Sequence, residues 1–390
     1  MLSPSAYDEL EQKSVSELPN RVLMMVQSVA FGTLGYPTRV RSESELWKYL
    51  DVMHESRFEH DLEHLLGGLT DREFELFKRV ASFVLRFSEE NFQRTLTTRS
   101  SLLRALNVYR HLTDLFGDHP ARIFEIGPGS GYLGCLLLDN QWAYGATDVT
   151  QAFYLLQNHL WHGLSEGKVK ELAENNDWDG SLLPGGAVHI PWWEFYRLLD
   201  RVVPKVDVVT CNHALAEMHP DSLVFTLRAA REMLRGEGLK AFVFEGWGCE
   251  QWVQRSLITK QFYRAGFRLV HNDDHITVFV PEENAFSRPA ARLPSRFWWP
   301  RGKAEVLAAV RRIVGIQQGW IRFWPPRFAS KRNQISRQIL AGNQCRETER
   351  RVGIGTIEKF FSELLDDRDD EMSPDEKFLH LIGQYERSSR

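Results

Sequence analysis

Between Ile123 and Gly134 the chain reads Ile-Phe-Glu-Ile-Gly-Pro-Gly-Ser-Gly-Tyr-Leu-Gly, and an apolar run resumes at Cys135-Leu136-Leu137-Leu138. That is a buried strand carrying one acid, a glycine turn and a helix start. Glycines at alternate positions let backbone approach a bound molecule, and the helix that follows turns its free N–H groups toward an anion. Further on, Thr210-Cys211-Asn212-His213-Ala214-Leu215-Ala216-Glu217-Met218-His219-Pro220 sets a polar cluster behind another apolar run. A neutral histidine suits removal of a proton from a hydroxyl, so His213 is the first candidate base. Glu217 can orient that imidazole or bind hydroxyls, and His219, beside a proline turn, is the alternative base. His189-Ile190-Pro191-Trp192-Trp193 offers rings that stack on a sugar or an adenine. The same residues also read as a proline-started helix whose tryptophans pack the core.

The elements that must position these residues change character along the chain. Residues 1–118 form a helical N-terminal domain: 45–66, 71–87 and 100–116 carry apolar residues at helical spacing. Gly67-Gly68 and Asp71 supply a stop and a cap between the first two. Residues 119–284 alternate short apolar runs with amphipathic stretches, which predicts an α/β domain with a doubly wound, mostly parallel sheet. The runs 268–271 and 275–280 are joined by three residues, so they form an antiparallel hairpin; a parallel crossover needs far more chain. Asp273-Asp274 in that link reads as an acidic turn, and no metal is expected. Residues 285–390 form a C-terminal accessory region. Its stretch 288–337 holds twelve basic residues against Glu305 alone, with the near-repeat RFWWPR at 296–301 and RFWPPR at 322–327. An acidic tail follows around 366–371.

Bulk properties constrain less. The chain has 390 residues, a net charge of -4 and four widely spaced cysteines with no CxxC pair. That usage points to a reducing compartment and away from a disulfide or zinc framework. The apolar stretch 22–34 is too short to span a bilayer and has the wrong flanks for a signal peptide, so a cytoplasmic protein is expected. There is no strong nucleic-acid signal.

The glycine loop admits two cofactors. Gly129-x-Gly131-x-x-Gly134 is a dinucleotide fingerprint. Glu125-x-Gly127-x-Gly129-x-Gly131 is equally a loop that wraps S-adenosylmethionine. Either cofactor asks for an acid at the end of the second strand to accept hydrogen bonds from ribose, and Asp148 stands there. Thr150 can cap the helix that follows and so release Asp148 for a ligand. No tyrosine is followed by lysine four residues later, which removes the short-chain dehydrogenase arrangement. The closing hairpin is foreign to the dinucleotide fold.

The loop Glu-Ile-Gly-Pro-Gly-Ser-Gly, Asp148 and the hairpin together resemble the class I S-adenosylmethionine-dependent methyltransferases over residues 120–281. The phrases NHALAEM and VHIPWWEF are similar to the sugar O-methyltransferases of bacterial polysaccharide pathways. The resemblance implies a Rossmann-like seven-stranded sheet and S-adenosylmethionine held by Glu125, Gly127, Gly129, Gly131, Asp148 and Asn212. It implies His213, Glu217 and His219 in catalysis and His189, Trp192 and Trp193 around the acceptor, a sugar hydroxyl of a glycan, lipid-linked glycan or nucleotide-sugar. A small-molecule hydroxyl is the nearest alternative. Further off stand a non-catalytic adaptor of the same fold and an NAD-dependent reductase. Arginines among tryptophans in 288–337 suit an anionic membrane or lipid-linked substrate, or a lid with a positive outer face.

Overall fold

The computed structural model describes residues 2–25, 38–51, 57–117, 119–174, 177–248, 254–282 and 326–365. Eight strands form one sheet: β1 (Arg122–Ile126), β2 (Ala143–Asp148), β3 (Val169–Glu171), β4 (Ala187–Pro191), β5 (Val208–Thr210), β6 (Ala241–Phe244), β7 (Phe267–Asn272) and β8 (Thr277–Pro281). Their order is β3-β4-β2-β1-β5-β6-β8-β7. Pairing is parallel from β3 to β6, while β8 runs antiparallel to both β6 and β7. The expected doubly wound sheet and closing hairpin are therefore present. The expected seven strands are corrected to eight, because β3 in the long segment before β4 adds an outer edge.

Hydrophobic burial assembles the layers. β1, β2 and β4 are buried along nearly their whole length, as strands covered on both faces must be. The helices Tyr132–Asp139, Gln151–Leu164, Pro220–Met233 and Arg255–Arg264 cover them. At Gly134 an added Cβ would lie 2.6 Å from the Trp161 indole nitrogen and 2.8 Å from Tyr144, so this glycine lets the first crossover helix sit close on its neighbours.

The flanks pack onto this frame and onto each other. Helix Asp71–Phe92 starts with a reciprocal cap in which Thr70 and Glu73 each satisfy the other's amide, so Thr70, rather than Asp71, is the cap. Helix Ser100–Phe116 matches its predicted span. The single helix expected over 45–66 is replaced, among the described residues, by a 3-10 turn Glu43–Tyr49 and short helical turns from Phe58 to Leu65. Between them Asp51 turns away to accept the amides of Arg99 and Ser101 at the start of helix Ser100–Phe116. One apolar core joins Leu62, Phe77, Leu103 and Leu136 to Ile335, Ile339, Ile357 and Phe361 from the end of the chain. Val352 forms a bridge to Leu69, and Arg351 donates to the carbonyls of Leu66 and Gly67. The basic stretch 288–325 and the acidic tail lie outside the described residues. Among the described residues no helix is long and apolar enough to cross a membrane.

Arg346, on helix Pro326–Thr348, makes a bidentate pair with Asp114 at 2.7 and 2.8 Å, both side chains nearly buried. Removing one member of a buried pair leaves the other uncompensated. Arg346→Ala should therefore lower the unfolding free energy by about 3 kcal/mol. An unchanged denaturant midpoint would show that the C-terminal helix does not dock on the N-terminal one.

Candidate active site

The carboxyl ends of β1, β2, β4, β5 and β6 open onto a cavity of about 210 Å³. In an open α/β sheet this is the edge where ligands bind, outside the point at which strand order reverses. Here the reversal falls between β1 and β5.

The glycine loop forms one wall. Gly127, Gly129 and Gly131 have φ of +69°, +59° and +83°, a region that side chains avoid, so the three glycines are required by the turn itself. A Cβ on Gly131 would come within 3.0 Å of Gln157 and 3.3 Å of Trp161. Glu125, one residue before the strand ends, is buried; one carboxylate oxygen accepts from Tyr144 at 2.7 Å and the other from Asn212 at 3.1 Å. Burial raises its carboxyl to about 7, against the opposing pull of those two donors.

Asp148 lies at the cavity end of β2. Its Oδ1 accepts from the backbone and hydroxyl of Thr150 at 2.9 and 2.8 Å, and its Oδ2 from Gln157 at 2.9 Å. Thr150 thus serves Asp148 and gives the helix no side-chain cap, a correction to the expected division of labour. Burial pushes the Asp148 carboxyl up, and hydrogen bonds from Thr150, Gln157 and the Gly129 amide oppose the push.

The polar cluster after β5 forms the second wall. Asn212 spans three strand ends: it donates to Glu125 and Thr210 and accepts the Glu245 amide at 3.0 Å. His213 adopts φ +55°, unusual outside glycine. The backbone allows this because Gly246 and Gly248 press against it: a Cβ on Gly246 would lie 2.2 Å from the imidazole, and one on Gly248 2.1 Å from the His213 carbonyl oxygen. His213 Nε2 is 3.3 Å from Glu245 Oε1, an oxygen that also accepts from Arg104 of helix Ser100–Phe116. Asp61 grips the other edge of the same guanidinium at 2.7 and 2.6 Å. Burial alone would raise Glu245, but the His213 hydrogen bond and the charges of His213 and Arg104 outweigh it and bring the carboxyl to about 2. Arg104 and Glu245 were not legible as site residues. Glu245 carried the one signal available, an acid ending a buried strand.

Glu217 and His219 also line the cavity. His219 caps the next helix, its Nδ1 accepting from the Asp221 amide at 3.2 Å. That bond engages the Nδ1 lone pair. Trp192 faces the cavity with its indole N–H held by Glu11 at 2.6 Å. His189 and Trp193 are corrections of a different kind, since both lie in the core. His189 belongs to β4, paired beside Ala146, with its ring stacked on Tyr154 at 3.9 Å and Nδ1 bonded to Asn158. Trp193 packs edge-on against Tyr7. The run Ala187-Val188-His189-Ile190 is a strand buried on both faces, and such runs lack the alternation that would have marked it. Asp273 organises its hairpin turn by accepting the amides of His275 and Ile276.

A parallel sheet whose last strand inserts antiparallel beside β6, with a glycine loop after β1 and an acid ending β2, defines the architecture. The chain has the class I methyltransferase fold. No family model matches it, and neither does any curated protein. Among solved structures it is similar to a magnesium protoporphyrin IX methyltransferase from Synechocystis PCC 6803 with bound SAM, at 9% identity over 62% of this chain and 99% of that one, TM-score 0.31. It is also similar to the N-methyltransferase NodS from Bradyrhizobium japonicum WM9 in complex with S-adenosyl-l-homocysteine (10%, 46% and 85%, 0.31) and to the glycopeptide N-methyltransferase MtfA (9%, 46% and 88%, 0.32). The fold assignment rests on the strand order and not on these distant likenesses.

Glu125 generates a prediction. Its folded carboxyl titrates at about 7 against an ordinary 4.5, so the folded state keeps a proton that the unfolded state has released. The associated stability is fully present below 4.5 and is lost as pH rises through 7. Glu125→Gln should escape that loss. The difference in unfolding free energy between variant and wild type should move in the variant's favour by on the order of 3 kcal/mol from pH 4.5 to pH 8. Parallel stability curves over that interval would rule the shift out.

Proposed function

We propose that this chain is an S-adenosylmethionine-dependent methyltransferase acting on an oxygen, with a sugar hydroxyl of a glycan, lipid-linked glycan or nucleotide-sugar as the acceptor class. The observation that supports it most strongly is the meeting of the positive-φ glycine loop and Asp148 with His213 and Glu245 around one cavity. Glycines without side chains leave backbone amides open to the methionine part of the cofactor, and Glu125 with Asn212 offers a carboxylate for its ammonium. Asp148, already fixed in direction by Thr150 and Gln157, offers lone pairs to ribose hydroxyls. When bound, S-adenosylmethionine supplies a methyl group already activated on a sulfonium.

What remains for the protein is alignment and removal of one proton. Glu245 accepts from His213 Nε2, which fixes the direction of the imidazole. The Glu245 carboxylate then faces the imidazolium that forms, much as a buried acid supports the histidine of a hydrolytic triad. Overall, an acceptor O–H gives its proton to His213 while oxygen takes the methyl group. Trp192, Phe195 and Tyr196 contribute flat apolar surface beside the polar Glu217 and Ser222, a mixture that suits a sugar ring. The sugar class also rests on the resemblance of NHALAEM and VHIPWWEF. We keep the basic stretch 288–337 as a contact for anionic membrane or a lipid-linked acceptor on composition alone.

Calorimetry with S-adenosylhomocysteine tests the cofactor. Asp148→Asn should weaken binding by about 10- to 100-fold, the worth of charge-assisted hydrogen bonds to ribose. Binding of NADH without S-adenosylhomocysteine would overturn the reading. Once an acceptor is in hand, His213→Ala should lower kcat by about 100-fold or more while leaving cofactor affinity near wild type.

A further inference from the structure

Glu245 has a second oxygen. Its Oε1 is shared by Arg104 and His213, whereas Oε2 is buried and has no hydrogen-bond partner. The residue is only 3% exposed and lines the cavity. Of the three carboxylates at this edge of the sheet, Glu125 and Asp148 use both oxygens, so Glu245 Oε2 is the one carboxylate oxygen among them without a donor; Thr147 Oγ1, also at the cavity, and Gln157 Oε1 are neutral orphans. A buried carboxylate oxygen left without a donor is costly. The chain offers no repair from its own side, since Arg104 spends its remaining nitrogens on Asp61. A buried acceptor without a donor, on a residue that lines the cavity beside the histidine at positive φ, suits a donor brought by a ligand.

We infer that Glu245 Oε2 accepts a hydrogen bond from the nucleophile of the methyl acceptor, making Glu245 a residue that selects acceptors as well as one that orients His213. The inference rests on the methyltransferase reading and deepens it. It restricts the acceptor to a nucleophile that carries its own hydrogen, a hydroxyl or a protonated amine. A ring nitrogen without hydrogen, or an already ionised oxygen, would meet a carboxylate with nothing to donate and be repelled. A hydroxyl has one hydrogen, so the two residues act in turn: Glu245 Oε2 accepts it in the bound complex and so orients the nucleophile, and the proton passes to His213 as the oxygen takes the methyl group, leaving the carboxylate ionised. Arg104 and Asp61 tie this pair to the N-terminal helices, so those helices form part of the acceptor wall.

The test needs no acceptor. Sinefungin is an analogue of S-adenosylmethionine in which a carbon bearing an amine replaces the sulfonium and its methyl, so it carries an N–H donor at the transfer position. S-adenosylhomocysteine lacks that donor. The full-length wild-type protein should bind sinefungin at least about tenfold tighter than S-adenosylhomocysteine, the worth of one charge-assisted hydrogen bond. In Glu245→Gln the two affinities should fall within about twofold of each other, with S-adenosylhomocysteine binding reporting that the variant is folded. A crystal structure of the wild type with sinefungin should place the amine within hydrogen-bond distance of Oε2, and this arm stands if the variant fails to fold. Equal affinities in the wild type, or an amine turned away from Oε2, overturn the inference while the cofactor reading survives. Failure of both ligands to bind overturns the cofactor reading and this inference with it.

Discussion

Carboxylates buried at the carboxyl edge of the sheet dictate most of what surrounds them. Glu125, Asp148 and Glu245 end or nearly end three different strands, and each is withdrawn from water. A charge in that position must find donors or stay protonated. The three find different solutions. Asp148 is held by Thr150, Gln157 and the loop amide, Glu245 by a cation and an imidazole, and Glu125 only by neutral groups, which is why its proton is retained to about 7. Helix Gln151–Leu164 must therefore present Gln157 to the loop, and helix Ser100–Phe116 must bring Arg104 over β6. The site's electrostatics and the packing of its covering helices are one problem.

The N-terminal region accordingly belongs to the site. Arg104 reaches Glu245, Ser130 of the glycine loop donates to the Tyr49 carbonyl at 2.9 Å, and Glu11 holds the Trp192 indole. Gln151 accepts the Val40 amide and donates to Asp8, fastening the first helix over the end of β2. The end of the chain reinforces the same helices from the far side through Arg346, Val352 and Phe361. Together these contacts fasten the wall to which Ser101, Arg104, Ala105 and Val108 contribute to residues distant in sequence.

The strength of the local signals explains what could be read without coordinates. Helix Ser100–Phe116 was legible to the residue and β1 as a strand ending at the glycines, because a long amphipathic period and an apolar run before a glycine turn each leave a single interpretation. Gly127, Gly129 and Gly131 were legible as a tight turn and Asp148 as the acid ending the second strand; all four line the cavity. His189 was misjudged because a strand buried on both faces shows no period, and a proline beside two tryptophans mimics a helix start. Thr150 was misjudged over which neighbour it would bond, a choice between two short-range partners that composition does not make.

The order of the sheet's core, the reversed hairpin and the glycine turn follow from local chemistry, in which hydrophobic period and backbone sterics act over a few residues. Which acid would be ionised, which histidine would meet a carboxylate and which helix would supply a cation depended on contacts spanning large separations. Arg104 and Glu245 are 141 residues apart, and His213 and Glu245 are 32 apart. No local pattern marks such a pair, because each side chain satisfies its local rules wherever its partner falls. Tertiary packing alone put the carboxylate, the guanidinium and the strained histidine at one cavity, and left one buried oxygen among them without a donor.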